Sequence, residues 1–159
     1  MTNPSTITVP DGQPYIDIVR EFDAPAEAVY RAHTDPELIV EWLGPRGYRM
    51  ELERWEIVPG GRYRYVHYDG DEGYAFNGIV HSASLENVIV QTFEFEGFPG
   101  VVSLEFLRIE DLGNGRCRVV GHSVYPTQES RDGMAQSGME RGINDGYERL
   151  DELLVKVAA

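Results

Sequence analysis

Toward the C-terminus, Ala135, Met139, Ile143, Tyr147, Leu150, Leu154 and Val157 recur at steps of three and four residues. That spacing gathers side chains on one face of an α-helix. Asp132, Glu140, Asp145, Glu148, Arg149, Asp151 and Glu152 cover much of the remaining surface. The pattern predicts one uninterrupted helix from about Ser130 to Val157, roughly 40 Å long. An antiparallel sheet needs one face covered, and this is the only large apolar stripe available to cover it. Gly138, Gly142 and Gly146 lie four apart on the helix, each about 1 kcal/mol worse there than alanine. Two readings stay open for that row: close helix-to-sheet approach, or space kept for a ligand.

The sheet itself is legible as punctuation. Residues 1–14, with Pro4, Pro10, Gly12 and Pro14, read as an irregular tail that admits a short strand at Ile7–Val9, and residues 15–157 as a single domain. Tyr15–Phe22 has strand composition. Asp23-Ala24-Pro25 opens a first short helix, and Asp35-Pro36-Glu37 a second, with Asp35 as N-cap. Strands are predicted near 48–57, 62–68, 74–84, 87–96, 101–110 and 116–125. They are broken at Pro59-Gly60-Gly61, Asp69–Gly73, Glu86-Asn87, Gly97–Gly100 and Gly113-Asn114-Gly115. Such short links favour hairpins, and Asn114-Gly115 is the most specific of them.

Composition narrows the partners. Lys and Arg number 14 against 27 Asp and Glu, a net charge of −13. The basic clusters Arg46/Arg49, Arg62/Arg64 and Arg116/Arg118 each sit among acids or aromatics, so neither nucleic acid nor an anionic membrane surface is an expected partner. A lone cysteine, Cys117, forms no internal disulfide and reads as a half-buried strand residue. Met1–Gly12 shows no charged start followed by an apolar run, and no stretch is long enough for a membrane span, so a cytoplasmic location is expected.

Several segments resemble a known family. Arg20–Pro25, Arg31–Glu37, Trp42-Leu43-Gly44-Pro45, Pro59–Tyr63, Phe76-Asn77-Gly78, and Gly138-Met139-Glu140 through Tyr147–Leu150 occur in the order typical of the heat-shock-protein-90 ATPase activator-like (AHSA-type) family. That family belongs to the START/Bet v 1-like (SRPBCC) superfamily. The resemblance implies an α+β helix-grip fold: a seven-stranded curved antiparallel sheet wrapped around a long C-terminal helix, with two short helices between strands one and two. It further implies an apolar cavity between sheet and helix. The eukaryotic activators act on the chaperone through an additional N-terminal domain without counterpart in these 159 residues, so chaperone binding is not expected. A homodimer stays open.

Candidate ligand contacts follow from strand alternation. Tyr63 and Tyr65 share a face, as do Phe76, Gly78 and Val80, and again Val102, Leu104 and Phe106. Turned toward the helix, these faces would oppose Met139 and Ile143, with Trp42 at the entrance. The facing of 87–96 and 116–125 is not set by alternation. The expected ligand-binding set is Trp42, Tyr63, Tyr65, Phe76, Phe106, His122, Met139 and Ile143, taking a small apolar molecule; an ordinary aromatic core is the competing reading. An enzyme of cyclase/aromatase or dehydratase type would need Tyr63, Tyr65, His81 or His122 to converge with an acid. A chaperone co-factor or protein-interaction module is the third reading. His33, His67, His81 and His122 are scattered without metal-ligand spacing, and no Gly-x-Ser-x-Gly elbow or phosphate loop occurs. No metal, cofactor or catalytic residue is expected. Arg20, in phase with Ile16, Ile18 and Phe22, should find a carboxylate or lie at an exposed strand end.

Overall fold

β-rich segments joined by tight turns pair into one antiparallel sheet of eight strands. The computed structural model describes residues 3–86 and 88–158. The strands are β1 (Ser5–Thr8), β2 (Tyr15–Phe22), β3 (Arg49–Trp55), β4 (Arg62–Asp69), β5 (Glu72–Ser82), β6 (Ile89–Phe95), β7 (Val102–Gly113) and β8 (Arg116–Val124). Across the sheet they run β1-β2-β8-β7-β6-β5-β4-β3, so β3 to β8 form a meander and β2 closes onto its last strand. Helices α1 (Ala26–Thr34) and α2 (Pro36–Trp42) link β2 to β3, while α3 (Gln128–Ala135) and α4 (Met139–Ala158) follow β8. The expected break at Glu86-Asn87 and the expected strand start at 87 involve residue 87, outside the described residues, as are the first two residues of the expected tail.

Two expectations need correction. The sheet has eight strands rather than seven, because Ser5–Thr8 pairs antiparallel with β2, Ser5 opposite Arg20 and Thr8 opposite Asp17. The extended, β-branched Thr6-Ile7-Thr8 supplies donors and acceptors to an edge that β2 would otherwise leave open. The long C-terminal helix is also two helices. α3 closes at Gln136, and Gly138 adopts φ +90°, a left-handed conformation that an α-helix cannot continue through. Hydrophobic spacing hid this break, since Ala135 and Met139 stay four apart in either geometry.

Asp35 accepts a hydrogen bond from the Glu37 amide at 2.9 Å, capping α2 as its sequence predicts. The main core gathers Phe22, Val29, Ile39, Trp42, Cys117, Val119, Leu150 and Leu154 between α1, α2, the C-terminal half of α4, and strands β2 and β8. A second cluster holds Ile57, Tyr63, Tyr65, Val80 and Ile89, from β4, β5, β6 and the turn before β4.

Arg20 is buried in the main core and finds its carboxylate on α4. Its guanidinium makes two hydrogen bonds to Asp151, at 3.0 and 2.6 Å, and a third to the Glu21 carbonyl at 2.8 Å. It also lies 4.6 Å from the Phe22 ring centroid. All three glycines of the row border the space between α4 and the sheet, and two of them also allow a close approach. A Cβ on Gly146 would stand 3.3 Å from the Gly44 amide and the Trp42 carbonyl, and one on Gly142 3.6 Å from Pro45. The close approach is therefore between α4 and the segment following α2, not between α4 and the sheet.

Candidate functional site

The N-terminal half of α4 stands away from the sheet, and a cavity of about 640 Å³ lies between them. One wall is a ladder of rings from β4, β5 and β6. Tyr63 stacks on Tyr65 (centroids 6.2 Å apart), Tyr65 on Phe76 (5.2 Å), and Phe76 on Phe93 (5.4 Å). Strand pairing in register puts Tyr65 opposite Phe76, so this arrangement follows from the β4–β5 hairpin. Met139, Ile143 and Tyr147 of α4 form the opposite wall.

Seven of the eight residues expected to contact a ligand border this cavity: Trp42, Tyr63, Tyr65, Phe76, Phe106, Met139 and Ile143. Trp42, however, is not at an entrance. It is 2% exposed, donates its indole N–H to the Ala32 carbonyl at 3.0 Å, and stacks near Tyr147 at 6.1 Å. Phe106 borders the cavity through its place in β7, but its ring lies 6.1 Å from His122 on the convex face, with Val102 and Leu104 exposed alongside. His122 points out on that same face, its Nδ1 paired with Asp17, its register partner on β2. His81 is likewise exposed, since its neighbour Val80 is the inward residue.

For Phe106 the cause is the phase of β7. Ser103, Glu105, Leu107 and Ile109 face inward, not Val102, Leu104 and Phe106. Apolar residues occupy both faces of this strand, so alternation alone gave the wrong phase. A usable signal was present nonetheless. Glu110 lies opposite Arg118 across the Asn114-Gly115 hairpin, and such charge pairs mark the solvated face. Counting back from there places Ile109, Leu107 and then Glu105 inside.

Glu105 is the cavity residue that sequence reasoning missed. Register aligns Gln91 of β6, Glu105 of β7 and Ser123 of β8 in a polar row across the cavity floor. Gln91 Nε2 donates to Glu105 Oε1 at 3.2 Å. Burial pushes the Glu105 carboxyl above the usual carboxylate range, with the Gln91 bond opposing. Burial, and then the charge of Glu105, push up the hydroxyls of Tyr63, Tyr65 and Tyr125. Burial likewise raises Tyr147 to about 12. Tyr63 donates to the Thr92 carbonyl at 2.6 Å. The hydroxyls of Tyr65 and Tyr125 have no protein partner among the described residues and are left to face the cavity.

At the rim, His67 packs on Gly44, where a Cβ would come within 2.6 Å of its ring, and burial lowers the imidazole to about 4. Its Nε2 is buried without a partner. Among the described residues no three His, Cys, Asp or Glu side chains are grouped to hold a metal ion, and no helix is long and apolar enough to cross a membrane.

Comparison with known proteins locates this architecture. The family described as Activator of Hsp90 ATPase homolog 1-like protein matches residues 23–155. A crystal structure of a protein from Rhodobacter sphaeroides superposes with a TM-score of 0.87 at 25% identity, covering 96% of this chain and 99% of that one. A solution structure of a protein from Arthrobacter aurescens gives a TM-score of 0.84 at 23% identity, covering 95% and 91%. Protein Ms6760 from Mycobacterium smegmatis gives 0.85 at 21%, covering 95% and 97%. Comparison with curated proteins finds no match.

Proposed function

The chain belongs to the Activator of Hsp90 ATPase homolog 1-like family, and from that premise we propose that it binds a small, largely apolar molecule between the sheet and α4. The observation that carries this reading is the aromatic-walled cavity of about 640 Å³. Protein interiors are otherwise close-packed, and ligand pockets typically span about 300–1,000 Å³ with mostly apolar walls. The space would hold roughly twenty water molecules at liquid density, so a ligand of comparable heavy-atom count fits. The fold is one known for ligand binding.

The test is to fill the space. Gly121 lines the floor, and a Cβ there meets nothing closer than 3.8 Å. Titration with the neutral fluorophore N-phenyl-1-naphthylamine should show saturable blue-shifted emission with the wild-type chain. Gly121→Leu should weaken that binding at least about tenfold, about 1.4 kcal/mol, without lowering Tm. Equal binding by both proteins, or none by the wild type, would count against a cavity-binding role.

A second reading, an enzyme of cyclase/aromatase or dehydratase type, is favoured by one observation. Glu105, held toward its proton-bearing form, faces the same space as the unpartnered Tyr65 and Tyr125 hydroxyls, an arrangement suited to giving and accepting protons. His81 and His122, on the outer face, take no part in it.

A further inference from the structure

The polar row on the cavity floor says more about the ligand than the cavity's size does. Glu105 bonds Gln91 from β6, pairs in register with Ser123 of β8, and shares the cavity with Tyr125 beyond β8, Tyr63 and Tyr65 from β4, and Tyr147 from α4. None of these carries a positive charge. The nearby cations are engaged elsewhere: Arg20 by Asp151, and Arg149 by the carbonyls of Glu41 and Gly44. Burial keeps the His67 imidazole neutral. Among the described residues no cation pairs with Glu105. A desolvated carboxyl of this kind is costly to ionise until a positive charge arrives.

We propose that the ligand is an apolar, ring-bearing amine whose single ammonium group docks on Glu105. This deepens the cavity-binding reading and rests on it. A neutral hydroxyl can hydrogen-bond the carboxyl but does nothing to offset the cost of ionising it. An ammonium supplies both the hydrogen bond and the charge. An anionic ligand meets the opposite situation. A fatty-acid carboxylate would sit beside Glu105 in a low-dielectric space with no cation between them. The cavity therefore selects by charge as well as by apolarity.

Three matched probes separate these cases: 2-(1-naphthyl)ethylamine, 2-(1-naphthyl)ethanol and 1-naphthylacetate. Each is titrated calorimetrically and also used to displace N-phenyl-1-naphthylamine. The expected order of affinity is amine, alcohol, carboxylate, with the amine at least tenfold ahead of the alcohol. In Glu105→Gln the amine's advantage should fall to threefold or less, while binding of the alcohol changes little. That variant breaks no ion pair and keeps the amide bond to Gln91 within reach, so it is expected to fold; Tm verifies it. An alcohol or carboxylate that binds as tightly as the amine, or an amine preference that survives Glu105→Gln, would overturn the proposal while leaving the cavity-binding reading intact. Failure of the fluorophore and of all three probes to bind would overturn both.

Discussion

The Arg20–Asp151 pair offers the sharpest quantitative test of how the fold is held. The Arg20 side chain is 1% exposed and that of Asp151 23%, so the two partners are not equivalent. Asp151→Ala leaves a guanidinium deep in the core with one carbonyl and one ring face for company. Its Nε already lacks a partner, and stripping the carboxylate from such a buried cation costs about 3–5 kcal/mol. Arg20→Met leaves the carboxylate instead, at a site that water reaches, and keeps an unbranched apolar stem in the core; that loss should be about 1–2 kcal/mol. The double variant Arg20→Met/Asp151→Ala removes both charges and should recover to within about 1–2 kcal/mol of wild type, as replaced buried pairs commonly do. Urea unfolding of all four proteins with matched m-values closes the double-mutant cycle. In Tm, Asp151→Ala should fall by roughly 10 °C, at about 3 °C per kcal/mol for a chain of this size. Equal losses for the two single variants, or a loss below about 1 kcal/mol for Asp151→Ala, would refute the claim that the burial asymmetry sets the energetics.

His67 predicts a pH dependence. Its folded value is lowered by burial from 6.5 to about 4, so between those values the unfolded chain takes a proton that the native chain refuses. Stability should then fall as pH drops from 6.5 toward 4, by up to about 1.4 kcal/mol per unit from this group, with no contribution from it above that window; urea midpoints for wild type and His67→Phe across the window check it, the variant showing the shallower slope. Two glycine substitutions should diverge in sign. A Cβ on Gly78 would collide with the Thr92 carbonyl and come within 2.5 Å of the Tyr63 ring, so Gly78→Ala should lose about 3 kcal/mol. Gly142 sits inside α4 with ordinary contact at 3.6 Å, so Gly142→Ala should gain up to about 1 kcal/mol by thermal melting.

Much of the architecture could be read from local signals. Asp35-Pro36, Asn114-Gly115 and the stripe through Leu150 and Leu154 each carry a backbone requirement within a few residues. The alternation of Tyr63 and Tyr65 gave their facing, because Arg62 and Arg64, alternating with them, mark the solvated side. Where the signal is non-local, reading failed. Val102, Leu104 and Phe106 look like an inward face because they are apolar, yet they form part of an exposed one. Which face of β7 points inward is decided by pairing with β6 and β8, not by β7 itself. The left-handed Gly138 was invisible for a related reason: glycine at a helix break and glycine at a helix contact look alike in a sequence. His122 seemed a cavity residue only while the phase of β8 was open.

The separation between the Arg20-centred core and the Gln91–Glu105–Ser123 row has a consequence for how such a chain can diversify. The residues that keep the molecule folded cluster at one end of α4, and those that line the cavity lie under the other. Substitutions along the polar row alter the cavity's polarity and charge while the ion pair and the Leu150 cluster stay as they are. A lineage can therefore vary its chemistry within an unchanged frame, and two descendants with superposable backbones need share no preference at all.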